Sequence, residues 1–245
     1  MSSVLNVEAI VLKTWPYGEN DLIVSLMTLQ KGKIRGLAKG ARASRKRFCG
    51  TLDLCSHAQF LVRERKNNNL VFIEQASLIS GYIHLRKDYF TLMMAMGLLE
   101  MADFFSHENH IEHGSFQILQ KALKNLEKAG DKIEIFWATA LEYLKWMGIS
   151  PSFEGCSRCE KKLEGEKIFF SLREARLLCT RCVVFGDQTL GLSQELCEWL
   201  RNVSLQGGEV EKMNSSQIKM VSSLVESHLS FHFHCKPDWS RFLER

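Results

Sequence analysis

The sequence predicts a β + α chain of two domains: a small amino-terminal β-barrel over residues 1–80, then a helical domain over residues 81–245. Three observations carry this. Short runs in the first third alternate apolar and polar residues between glycine-marked turns. After Ser80 apolar residues recur at helical spacing on long segments. Two C-x-x-C pairs then interrupt the helices between residues 156 and 182, the pattern of an inserted zinc ribbon-like hairpin.

The strand candidates are Val7 to Lys13, Asp21 to Thr28, Gly32 to Ala38, His57 to Arg65 and Asn69 to Gln75, punctuated by Gly18, Gly32, Gly40 and the Asn67-Asn68-Asn69 run. Five short strands in about eighty residues suit an OB-fold. Phe60 and Phe72 lie inside apolar strands and are expected in its core. Lys33 and Arg35 flank Ile34, as on a strand with one wet, basic face.

The helix candidates are Tyr82 to Phe105, Phe116 to Ala129, Ile133 to Met147, Ser193 to Val203 and Ser215 to Phe231. Gly114, Gly130 and Gly148 stand where such helices could end, and Ser193 is a candidate N-cap. The most apolar run, Tyr89 to Phe105, is shorter than a bilayer span and carries Glu100 and Asp103, so a buried helix is expected rather than a membrane one. The amino terminus has no signal-peptide pattern, and a cytoplasmic location is expected.

Charge is distributed unevenly. Residues 1–80 hold twelve Lys/Arg against six Asp/Glu, whereas the rest of the chain is slightly acidic. Lys31, Lys33, Arg35, Lys39, Arg42, Arg45, Lys46 and Arg47 follow one another with no acidic residue between them, spaced by Gly36, Gly40, Ala41, Ala43 and Ser44. Long cations neutralise phosphates, and small residues let backbone approach them. An acid-free run of this density on a barrel points to nucleic-acid binding. Tyr17 and Phe48, on turns beside the run, are the candidates for base stacking.

Cys156-Ser-Arg-Cys159 and Cys179-Thr-Arg-Cys182 form C-x2-C-x19-C-x2-C. Two thiolates on a tight turn can converge on one ion, and a hairpin of Lys167 to Ser171 and Ala175 to Leu178 would bring two such turns together. Four thiolates fill a tetrahedral zinc and leave no open position, so one structural zinc per chain is expected. Arg158 and Arg181, inside the knuckles, either offset thiolate charge or face solvent. With no export pattern, reduced thiols are expected throughout.

Other groupings offer less. His107, His110 and His113 read as loop decoration; His232, His234 and Cys235 read as the flank of a helix end rather than a second metal site. Glu19 and Asp21 read as turn residues. No P-loop, G-x-G-x-x-G, G-x-S-x-G or H-E-x-x-H is present, and no H-x-E accompanies the cysteines as a zinc deaminase requires. A non-enzymatic binding protein is expected.

Ala9-Ile-Val-Leu-Lys-Thr14, Tyr17-Gly-Glu-Asn-Asp21, Gly32-Lys-Ile34, Gly36-Leu-Ala-Lys-Gly-Ala-Arg42 and Arg47-Phe48 resemble the recombination mediator family RecO. Gly148 to Pro151, then C-x-x-C, Phe169-Phe170 and C-x-x-C, repeat that family's order downstream. The resemblance spans residues 7 to 185. It implies an OB-fold followed by a helical, zinc-containing domain that binds single- and double-stranded DNA and anneals complementary strands without ATP. It also implies cooperation with RecR, contact with the carboxyl-terminal tail of single-strand DNA-binding protein, and indirect help in loading RecA. Some members lack the cysteines, so the zinc rests on this sequence. A helical groove edged by Lys121, Lys124 and Lys128 beside Phe116, Trp137 and Tyr143 is a candidate for the tail. The alternative reading is a zinc-ribbon adaptor for RNA or the transcription machinery.

Overall fold

The computed structural model describes residues 3–44, 46–64, 70–108, 110, 113–130, 132–163, 165, 167–206, 211–234 and 237–243. Arg45, Cys235, Arg65 and the Asn67-Asn68-Asn69 run lie outside the described residues. The chain divides into two compact units, residues 1–132 and 133–244.

In the first unit, β1 (Val4–Tyr17), β2 (Asp21–Thr28), β3 (Gly32–Ala38), β4 (His57–Arg63) and β5 (Leu70–Ser80) close into a barrel of order β1-β2-β3-β5-β4. This is the OB-fold. One long strand closes it: β1 pairs with β4 over Val4 to Ile10 and with β2 over Ala9 to Tyr17, the register shifting between Val11 and Lys13. Such a bulge bends a strand so that it can serve two neighbours. The other closure is short and parallel, Arg35 to Leu37 of β3 against Leu70 to Phe72 of β5.

Side chains of one parity fill the barrel: Val7, Ala9, Val11, Val24, Leu26, Ile34, Phe60, Val62 and Ile73 among them. Gly36 is part of this packing, since a Cβ there would meet Ile73 Cγ1 at 2.6 Å. The opposite parity is also buried at Ile10, Leu12 and Met27. Helices α1 (Tyr89–Phe105) and α2 (His113–Ala129) pack against that outer side of β1 and β2. The unbroken apolar run Ala9 to Leu12 is thus a strand covered on both faces.

The helix predicted from Tyr82 begins later. Tyr82 takes φ +43°, a 3₁₀ turn follows at Ile83–Arg86, and Asp88 then accepts the Thr91 N–H at 2.7 Å as the N-cap of α1. Gly114 lies within α2, while Gly130 and Gly148 stand just past helix ends at φ +73° and +75°.

The second unit holds α3 (Ile133–Trp146), α4 (Gln194–Gln206), α5 (Ser215–Phe233) and a four-stranded sheet. The strands are β6 (Ser152–Cys156), β7 (Ile168–Ser171), β8 (Arg176–Cys179) and β9 (Thr189–Leu192), in the order β6-β8-β7-β9. Ser193 Oγ accepts the Leu196 N–H at 3.2 Å, capping α4 as the sequence predicts. Asn214 and Gln217 form a capping box on α5. The sheet is locked to the helices by apolar and polar contacts together. Phe153 of β6 stacks on Phe170 of β7 at 5.9 Å, Phe170 meets His228 of α5, and Arg201 of α4 donates to the Phe153 carbonyl. Among the described residues no helix is long and apolar enough to cross a membrane.

Candidate nucleic-acid interface and metal centre

The acid-free run of the sequence splits in two once folded. Its first part, on the β2–β3 turn and β3, meets carboxylates. Lys31 pairs with Glu64. Lys33 reaches Asp103 Oδ1 at 3.0 Å and the Asp103 carbonyl at 2.8 Å, and Arg35 meets Glu108 at 2.5 Å. Glu108 also forms a parallel bridge with Lys33, so the chain leaving α1 runs beside β3. Asp103 takes a second cation, Lys13, at 2.8 Å. Burial works to raise the Asp103 pKa, but hydrogen bonds from Lys13 and Lys33 outweigh it and hold the carboxyl below its usual range.

The second part, on the loop after β3, makes no ion pair with a carboxylate among the described residues. Lys39, Arg42, Lys46 and Arg47 are exposed. Arg42 donates to the Glu19 carbonyl at 3.1 Å and Arg47 to the Lys39 carbonyl at 2.7 Å, contacts that shape the loop without neutralising it. The Ala76 N–H donates to the Arg47 carbonyl, tying the loop to β5. Asp21 supplies the turn: its Oδ1 accepts the Gly40 N–H at 2.7 Å where Gly40 takes φ +62°. Glu19 and Asp21 are turn residues, as the sequence suggests. The spacers differ from expectation, since Gly36 and Ala41 pack inward.

The two candidate stacking rings part company. Tyr17 is 55% exposed at the end of β1. Phe48 is 5% exposed and belongs to the barrel core, so it offers no face to a base; its aromatic character beside Arg47 serves packing. Phe72, expected in the core, is only half-buried, with Lys39 Nζ 5.5 Å from its ring centre. Trp15 was not singled out by sequence, yet it is 40% exposed with the Arg35 guanidinium 5.9 Å over its ring. The signal was available: Lys13, Trp15 and Tyr17 share one face of β1 at period two.

The four cysteines converge. Their sulfurs all lie within 4.8 Å of one another, and the Cys159–Cys179 separation is 3.8 Å. Tetrahedral Zn–S bonds of about 2.3 Å place sulfurs about 3.8 Å apart, so the cage has the size of a four-thiolate ion. The parallel pairing of β6 with β8 explains the convergence, because Cys156 and Cys179 end neighbouring strands at the same end of the sheet. The hairpin the sequence predicts is β7–β8, paired from Ile168↔Cys179 to Ser171↔Arg176. Burial raises the Cys156 pKa, but amides of Cys179, Arg158 and Cys159 donate to its sulfur and hold it at about 6. The Cys182 thiol is pushed up to about 12 by hydrogen bonding with Cys179 and Cys159.

Arg158 is exposed, as the second reading of it expects, yet its guanidinium is fully engaged by protein groups. It binds Glu174 at 2.6 and 2.9 Å, Asp187 at 2.9 and 3.0 Å and the Cys182 carbonyl, clasping one knuckle to the other. Elsewhere Phe116, Trp137 and Tyr143 are sealed in their cores, which removes them from the candidate tail-binding groove. His113 meets the Leu29 carbonyl and His234 forms the left-handed C-cap of α5. Among the described residues the four cysteines form the metal-sized cluster of donors.

The family models described as Recombination protein O N terminal and Recombination protein O C terminal match residues 1–82 and 86–241. The chain belongs to the RecO family. DNA repair protein RecO of Desulfatibacillum aliphaticivorans is 30% identical over 247 residues, covering 96% of this chain and 95% of that protein. The Bacillus pumilus protein of the same name is 29% identical over 194 residues, 79% of this chain and 74% of its own length. That of Desulforamulus reducens is 25% identical over 247 residues, 99% and 94%. RecO is thus a DNA repair family, and this chain joins the family's OB-fold to helices that carry a four-cysteine cluster.

Proposed function

We propose that this chain is a non-enzymatic, cytoplasmic and nucleoid-associated mediator of homologous recombination. It binds single- and double-stranded DNA, anneals complementary strands, cooperates with RecR, and helps load RecA onto strands coated by single-strand DNA-binding protein, whose carboxyl-terminal tail it contacts. The barrel, residues 1–80, is the DNA-binding module and residues 81–245 the helical domain. The observation that carries the reading is the exposed loop of Lys39, Arg42, Lys46 and Arg47 on a closed OB barrel. Cations that keep their charge hold phosphates of two strands on one surface without reading bases. Lys31, Lys33 and Arg35 complete the site once DNA competes for them, and Arg45 of the same run joins them.

Cys156, Cys159, Cys179 and Cys182 would hold one structural zinc. The ion supplies cross-linking and no chemistry, and the cage fits it in donor type and spacing. The test of function is nucleotide-free annealing of complementary strands precoated with single-strand DNA-binding protein, alongside DNA affinity against salt. Replacing Lys39, Arg42 and Lys46 by Glu should abolish annealing and flatten the salt slope by about two to three. Unchanged affinity and slope would remove the mechanism, and preference for structured RNA over single-stranded DNA would favour the adaptor reading.

A further inference from the structure

The turn that follows Cys182 presents apolar side chains to water on a rigid mount. Phe185 is 108% exposed and Val184 59%. The Asp187 N–H donates to the Val184 carbonyl at 3.1 Å, and Asp187 Oδ2 accepts the Val184 N–H at 3.0 Å. Gly186, at φ +95°, supplies the left-handed corner such a turn needs, which leaves Phe185 at the apex. Both Arg158 terminal nitrogens grip the Asp187 carboxylate, and the Val183 N–H donates to the Cys179 carbonyl. The turn is therefore fastened to both cysteine knuckles.

A lone exposed apolar side chain needs no explanation. This one is set apart by its mounting and by the charge around it. Arg158 is engaged by Glu174 and Asp187 together, so both carboxylates beside the turn are already paired, though one guanidinium offsets only one of the two charges. Arg173 lies close enough to Asp187 to help lower its pKa, after the hydrogen bonds from Arg158 and Val184. Arg173, Arg176 and Arg181 are all exposed. An aromatic ring on a fastened turn, with exposed arginines in the same module, matches a ligand with flat apolar faces joined by anions. Because the backbone of the turn is already fastened, binding loses little backbone freedom.

We propose that Phe185 is a stacking platform for an unpaired nucleobase, with Arg173 and Arg181 meeting the adjoining phosphates, so that the metal module carries its own single-strand contact. The inference rests on the DNA-binding reading and adds a strand preference that the barrel loop does not supply. Bases within a duplex already cover one another, whereas single strands and gaps leave faces free.

The test uses the intact chain with a thymidine oligonucleotide carrying one 2-aminopurine, and a blunt duplex of the same length. Phe185→Ala should weaken single-strand binding about tenfold, leave duplex affinity and the salt slope unchanged, and abolish the quenching of 2-aminopurine. Phe185→Trp should restore both affinity and quenching. Equal single-strand binding by wild type and Phe185→Ala overturns this proposal while the barrel loop's role stands. Loss confined to binding of a partner protein overturns it in favour of an apolar pocket on that protein. No DNA binding by the intact chain overturns it together with the DNA-binding reading.

Discussion

Phe48 follows Arg47 directly, yet the guanidinium lies at the surface while the ring is sealed among Val11, Leu52 and the other barrel residues. Phe48→Ala removes a buried ring, and the barrel should lose about 3–5 kcal/mol of stability. Thermal melts check this, and DNA affinity should fall only as the folded fraction falls. A variant of native stability that has lost DNA binding would return Phe48 to the interface. Asp103 makes the second single-residue prediction. Its lowered pKa means that its carboxylate stabilises the fold near neutrality, and that this contribution is lost as pH falls through the folded value. Asp103→Asn should therefore melt below wild type at about pH 7, and the gap should close as the pH is taken below the ordinary carboxylate range. A gap independent of pH would show that the carboxylate's charge has no part in holding α1 to β1 and β3.

Elements explain how one basic run acquired two electrostatic characters. Asp103 and Glu108 lie on and just beyond α1, about seventy residues downstream of Lys33 and Arg35, so a local charge count cannot register them. On the proposed DNA-binding reading, they stand where phosphates would otherwise lie on β3. Asp103→Asn with Glu108→Gln should then tighten DNA binding and steepen its salt dependence by about one to two, as Lys33 and Arg35 become available. Weaker binding in that double variant would mean the pairs orient the cations for DNA rather than compete with it. Legibility in the sequence follows the same local rule. The strands Asp21–Thr28 and Gly32–Ala38 are read to the residue because turn glycines bound them. β1 runs past its predicted ends in both directions, since a bulge and two partner strands sustain it. The helix start at Asp88 was missed because apolar spacing continues through Tyr82 and Leu85, which are buried without being α-helical. The cysteine cage was fully legible because C-x2-C fixes its own geometry, whereas β6 and β9 were not, being short strands recognisable only by what they pair with.

The whole molecule has two compact units, and the cysteine cluster belongs to the second. Its sheet is small; Phe153 stacks on Phe170 within it, and the contacts that tie it to the helices include Phe170 on His228 and Arg201 on the Phe153 carbonyl. Four strands of four or five residues cannot hold such a sheet together by pairing alone. Purified without chelator, the chain should contain about one zinc, and uptake of metal should release protons as the thiols ionise. Stripping the metal, or replacing Cys179 by Ser, should expose the amides of β6 to β9 to hydrogen exchange first, followed by α4 and α5. Barrel amides in β1, β2 and β4 should keep their protection, because their core contains no residue of the metal module. Exchange that leaves the sheet protected in the metal-free chain would show that packing on the helices suffices, and that Arg158 bridging Glu174 and Asp187 holds the knuckles without an ion.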